Sequence, residues 1–132
     1  MDVCAVEEVE LKPGKATLVS TGLIADIPAG YELQVRPRSG LALKGNITVW
    51  NSPGTVDSGY TGVIGVIMMW LPPLDLLFAT GLNIYSSEKI KIHKGDRIAQ
   101  FVLAPVTTCE PVEVAEVSDT DRGTGGFGST GT

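Results

Sequence analysis

Tyr31-Glu32-Leu33-Gln34-Val35-Arg36 alternates apolar and polar residues without a break. A β-strand turns successive side chains to opposite faces, so this run lays one face on a core and offers the other to solvent. Lys89-Ile90-Lys91-Ile92-His93 repeats the pattern and places His93 toward solvent. Working outward from these runs, turn formers cut the chain at Pro13-Gly14, Pro28-Ala29-Gly30, Pro53-Gly54, Ser58-Gly59 and Lys94-Gly95-Asp96. No helical period lasts three turns. Short strands at such spacing predict an all-β sandwich or barrel.

The 132 residues suffice for one compact domain and fall short of two. We expect a single β domain over residues 1–121 and a flexible arm over 122–132. Residues 72–86, proline-led and longer than a hairpin needs, read as an insertion. Ten basic against fifteen acidic residues leave a net charge of −5, which argues against nucleic acid held by a general electrostatic field. An anionic ligand must instead meet local donors or a metal. Cys4 and Cys109 allow at most one disulfide, so a reducing compartment is expected, cytoplasmic or nuclear, in a host cell if the chain is viral. The acidic opening MDVCAVEEVE is no signal peptide, so secretion is not expected. The longest apolar run, Val63 to Leu77, is broken by Gly65, Pro72, Pro73 and Asp75, and no membrane span is expected.

Four further segments carry chemistry. Pro37-Arg38-Ser39-Gly40-Leu41 follows a strand and precedes a short helical turn over Leu41 to Lys44, where consecutive amides, a hydroxyl and a guanidinium suit phosphate oxygens. An ordinary tight turn with a surface arginine is the plainer alternative. Asp57 ends a short strand beside the Ser58-Gly59 turn, with Tyr60 three residues on. Asn51 is placed to pair with Asp57 across a hairpin, its amide offering donor and acceptor to a planar ligand; turn chemistry explains both residues equally well. In Gly95-Asp96-Arg97-Ile98-Ala99-Gln100, Asp96 and Arg97 read as a structural ion pair. Gln100 shares the face of Ile98 unless a bulge intervenes. Finally, residues 122–131 hold five glycines in ten, too costly in backbone entropy to order unaided, around one phenylalanine suited to stacking on a base.

Taken together, these segments resemble the trimeric dUTPase family in order along most of the chain: Asp2-Val3-Cys4-Ala5, PRSGLA from Pro37, GTVDSGYTG from Gly54, GDRIAQ from Gly95 and RGTGGFGSTG from Arg122. The resemblance implies a jelly-roll fold, a homotrimer with sites shared between subunits, and Mg²⁺-dependent hydrolysis of dUTP to dUMP and pyrophosphate. Such an activity limits uracil in DNA and supplies dUMP for dTMP synthesis. It implies that Asp57 orients and deprotonates the water attacking the α-phosphorus. Tyr60 would pack under the deoxyribose and exclude a 2′-hydroxyl, while Asn51 and the backbone of the Trp50 to Thr55 hairpin, including Gly54 with Val56 beyond it, would read uracil. Arg38, Ser39, Gly40 and Gln100 would bind the phosphates, and Arg122, Ser129 and Thr130 the γ-phosphate. Phe127, with Gly128 beside it, would stack over uracil as the arm closes. Mg²⁺ would be chelated mainly by the phosphates, with Asp2 reaching it through water.

Thr61 stands where the family commonly has arginine. The related dCTP deaminase type shares the fold but needs a polar group poised at the base, and the third motif offers no extra glutamate. A reading from another class is regulatory binding of a protein partner through 72–86.

Overall fold

The computed structural model describes residues 1–79 and 88–126. Among the described residues nine strands and two short helices follow one another: β1 (Asp2–Cys4), β2 (Val9–Leu11), β3 (Thr17–Ser20), β4 (Tyr31–Arg36), α1 (Ser39–Gly45), β5 (Ile47–Val49), β6 (Gly54–Val56), β7 (Gly65–Trp70), α2 (Leu74–Ala79), β8 (Ile90–Ile92) and β9 (Arg97–Pro105). They pair antiparallel in three sheets, ordered β1-β9-β4-β6, β3-β7-β5 and β2-β8. This is the expected all-β jelly roll. The alternating run 31–36 is β4, a central strand of the largest sheet.

One core joins the sheets. Val3, Val35, Ala99 and Phe101 enter it from the first, Val19, Val49, Val66 and Met68 from the second, and Leu11 and Ile92 from the third. β7 reads as a continuous apolar run because it is the middle strand of its sheet, and Val66, Met68, Met69 and Trp70 are all buried.

Two local expectations change. The Trp50 to Thr55 segment is not a hairpin, since β5 pairs with β7 whereas β6 pairs with β4. Turn residues around Pro53 reverse the chain, but burial selects the partners: Ile47 and Val49 enter the core beside Trp70 and Met68 of β7, and Gly54 fits closely against Val35. The segment therefore carries the chain from one sheet to the other. The helical turn expected over Leu41 to Lys44 extends from Ser39 to Gly45, ending where Asn46 turns left-handed at φ 50° and donates its N–H to the Leu41 carbonyl.

Within 72–86, α2 sets Leu76 against the core, and residues 80–86 lie outside the described part. The chain then returns as β8, tied to β2 by Lys89–Glu10 at 2.6 Å and Lys91–Glu8 at 2.7 Å. His93 is exposed, as its alternation with Ile92 requires. Among the described residues no helix is long and apolar enough to cross a membrane.

Candidate active site

The chain's turn from β5 into β6, and its run from β6 into β7, enclose a cavity of about 270 Å³. Asn51, Gly54, Val56, Asp57 and Tyr60 line it, with apolar walls from Leu18, Val35, Ile64 and Ile67. Asn51 and Asp57 thus meet in a cavity and not across a hairpin ladder. A Cβ at Gly54 would stand 3.0 Å from Asn51 Nδ2 and 3.3 Å from Val35 Cβ, so the missing side chain is what lets the Asn51 amide lie over the strand. An apolar cavity with one amide and one carboxylate at its edge suits a flat ligand carrying a few polar groups.

Asp57 leaves β6 at its end, where regular pairing has stopped and its side chain is exposed. Its carbonyl accepts the Tyr60 N–H at 3.1 Å, closing the turn through Ser58 and Gly59. The turn therefore holds carboxylate and ring at a set separation. Tyr60 Oη donates to the Val63 carbonyl at 3.1 Å.

A second cluster forms around Asp2. Its carboxylate accepts from Gln100 Nε2 at 3.0 Å and Arg97 Nη1 at 3.3 Å, and lies 3.5 Å from Arg38 Nη2. The Gln100 hydrogen bond, then the two guanidinium charges, hold the Asp2 carboxyl below its ordinary value against a desolvation effect that raises it. The Met1 ammonium donates to the Phe101 carbonyl at 2.9 Å, and the Phe101 N–H returns to the Met1 carbonyl, so the residue before Asp2 is tied to β9. Arg38 Nη1 donates to the Arg97 carbonyl at 3.0 Å, while its buried Nε has no partner among the described residues. Ser39 and Gly40 lie exposed in the first turn of α1, and the space over Gly40 is open.

The cluster corrects one sequence expectation and meets the condition set on another. Arg97 pairs with Asp2 and not with Asp96, whose carboxylate accepts the His93 N–H at 2.8 Å in the β8–β9 turn. Gln100 also leaves the face of Ile98. Opposite β1 the register runs from Ala99 to Arg97 and skips Ile98, a bulge that buries Ile98 and Ala99 in succession and turns Gln100 out to Asp2. Strict period two places the glutamine inside, and one extra residue reverses it. The pairing of Arg97 with Asp2 and the apolar cavity walls were not legible in the sequence. The arginine lies inside GDRIAQ, but its partner is 95 positions away.

Cavity and cluster stand apart within one chain. Gln100 faces Arg36 on β4, whereas Val56, just before Asp57, faces Leu33. That is roughly 13 Å along β4 to Asp57, and the edge strands β1 and β6 add roughly 14 Å across the sheet. Arg122 Nε donates to the Gly125 carbonyl at 2.8 Å within its own turn. Phe127, Gly128, Ser129 and Thr130 lie outside the described residues.

Mg²⁺ takes oxygen ligands, keeps several waters and is commonly held by one or two carboxylates plus substrate phosphates. No group of three or more candidate metal-ligating side chains occurs among the described residues. A single carboxylate at Asp2, bordered by guanidiniums, suits an ion carried in by phosphates and met through water.

Known proteins extend this picture. The profile of the family described as dUTPase matches residues 1–75 and 78–131. The deoxyuridine 5′-triphosphate nucleotidohydrolase of Nautilia profundicola is 50% identical over 98% of this chain and 82% of its own length. A mutant of Staphylococcus bacteriophage 80alpha dUTPase, solved with dUpNHpp, superposes with a TM-score of 0.80 at 28% identity, covering 99% of this chain and 85% of that one. A mutant dUTPase from phage phi11 of S. aureus, whose structure concerns the coordination of a structural Mg(II) ion, shares the fold at a TM-score of 0.71 and 24% identity over 89% of this chain and 84% of its own. With a profile spanning nearly all of the sequence and a relative 50% identical over 130 aligned residues, this chain belongs to the dUTPase family.

Proposed function

We propose that this protein hydrolyses dUTP to dUMP and pyrophosphate by attack of water on the α-phosphorus. The observation that carries the reading is the cavity in which Asn51, Asp57 and Tyr60 converge. Membership of the dUTPase family supports it, together with relatives named for dUTP hydrolysis.

Uracil enters the apolar cavity with Asn51 and the backbone near Gly54 at its polar edge, and the snug fit refuses the methyl group of thymine. Tyr60 lies under the deoxyribose. Asp57 orients a water and takes its proton as the oxygen attacks phosphorus, the pyrophosphate leaving with the bonding electron pair. Arg38 and Gln100, with Ser39 and Gly40 at the start of α1, bind the phosphate chain and offset the charge that grows on the leaving group. Asp2 would meet a phosphate-borne Mg²⁺ through water, and the ion would supply further neutralisation of that charge.

Within one chain the Asp57 cavity and the Arg38–Gln100 cluster are too far apart to grip the same phosphorus. We infer a homotrimer in which the cluster of one subunit faces the cavity of another, with the 122–132 arm closing the site through Arg122, Phe127, Ser129 and Thr130. This arrangement explains how an acidic protein handles a tetra-anion: its guanidiniums are gathered locally. The product serves as dUMP for dTMP synthesis and the reaction keeps uracil out of DNA, in the cytoplasm or nucleus.

Pyrophosphate release from dUTP, dTTP, dCTP and UTP, compared side by side, tests the reading. Release from dUTP alone is expected. Equal release from all four, or ammonia from dCTP, would overturn it.

A further inference from the structure

We propose that Gly62 is a positioning residue for sugar selectivity, acting through Tyr60; this rests on the cavity being the nucleoside site. Gly62 has no left-handed backbone to justify a glycine. The reason is space. A Cβ there would stand 2.6 Å from Tyr60 Oη, 2.7 Å from Cζ and 3.2 Å from Cε2. Real Cβ atoms essentially never come closer than 3.0 Å to such neighbours. Tyr60 therefore lies folded back over Gly62, in a seat that only a missing side chain leaves open.

The ring is held at two points. Its hydroxyl donates to the Val63 carbonyl and its Oη–Cζ end lies against Gly62, while the backbone N–H of Tyr60 donates to the Asp57 carbonyl and fixes the turn that carries the side chain. Burial contributes little, because Tyr60 is 47% exposed. A methyl at position 62 pushes the ring outward into solvent, at small cost to folding, and breaks the bond to Val63. Removing the hydroxyl does not relieve the clash, since Cζ is also too close. A wall that excludes a ribose 2′-hydroxyl by contact works only while it stays in place. With the ring displaced, the hydroxyl gains room.

The test compares full-length parent, Gly62→Ala, Tyr60→Ala and the double variant by kcat/KM on dUTP and UTP, alongside Tyr60 ring-proton shifts by NMR. Gly62→Ala is expected to move the ring signals and to raise the UTP-to-dUTP ratio about tenfold, within the range by which apolar pockets discriminate one hydroxyl. In the Tyr60→Ala background the same substitution is expected to change nothing further, because its effect passes through the ring. Unmoved ring signals, an unchanged ratio, or an additive effect in the double variant would overturn the proposal. If Gly62→Ala fails to fold, the double variant must fold; its failure would be equally decisive against the clash. A parent that hydrolyses no dUTP defeats the functional reading and the sugar role with it, whereas ring signals that ignore Gly62→Ala defeat the seat itself.

Discussion

Gln100 Nε2 donates to Asp2 Oδ1 at 3.0 Å across the β1–β9 ladder, joining residues 98 positions apart. The bond exists because the bulge at Ile98 turns Gln100 outward, and it arranges a carboxylate and an amide beside two guanidiniums.

Gln100→Leu removes the main support of the Asp2 carboxylate and, on the proposed function, a donor to the phosphates. The KM for dUTP should rise about tenfold, the loss expected for one hydrogen bond to a charged group. The Asp2 carboxyl should also titrate at higher pH, as followed by NMR. An unmoved Asp2 titration would mean that the guanidiniums alone hold it.

Asp57→Asn keeps the shape of the cavity and can still hold a water, but the amide cannot take its proton. Turnover of dUTP should fall by ~10²–10⁴ while nucleotide binding persists. Isothermal titration with a non-hydrolysable dUTP analogue, beside a turnover assay, separates the two. Hydrolysis within a fewfold of the parent would assign the base elsewhere.

Chains lacking 122–132 and chains carrying Asp57→Asn should each be nearly inactive alone, yet recover part of the activity when co-expressed if the proposed homotrimer forms. Mixed trimers would bring an intact Asp57 and an intact arm to one site if the arm crosses between subunits. No recovery in assemblies verified to contain both chains would place the arm on its own subunit.

Stability should be lost in acid through named groups. Asp2, Glu8 and Glu10 titrate below their ordinary values, held there first by hydrogen bonds from Gln100, Lys91 and Lys89 respectively. Carboxylates lowered on folding stabilise fully above their unfolded values, 3.8 for Asp2 and 4.5 for the glutamates, and less as pH falls through the lowered ones. Lys91, bonded to Glu8, is raised; its contribution is complete below 10.5 and fades as pH climbs through its folded value. Urea midpoints across pH at low salt should thus hold steady from about pH 5 to neutrality and drop below, with a shallower acid limb in Glu8→Gln/Glu10→Gln. An identical limb in that variant would remove the β2–β8 ladder from the explanation.

The strand at Tyr31–Arg36, the turn after Asp57 and the all-β class are legible in the residues alone. These depend on a period of two and on residues with few backbone options, both local properties. The five segments that mark the family were equally legible, because their order along the chain needs no fold to be seen. Tertiary structure decided which strands pair, so the arms around Asn51 enter different sheets, each drawn to the apolar surface that buries it. It also decided that Arg97 serves Asp2 and that Gln100 faces out, since a bulge breaks the period that sequence reading relies on. Tyr60 lies folded over Gly62 for a similar reason: no pattern of residue types reveals a collision with a side chain that is absent. Contacts between distant segments are selected by packing and by charges that must find partners, and those selections are made only when the chain is folded.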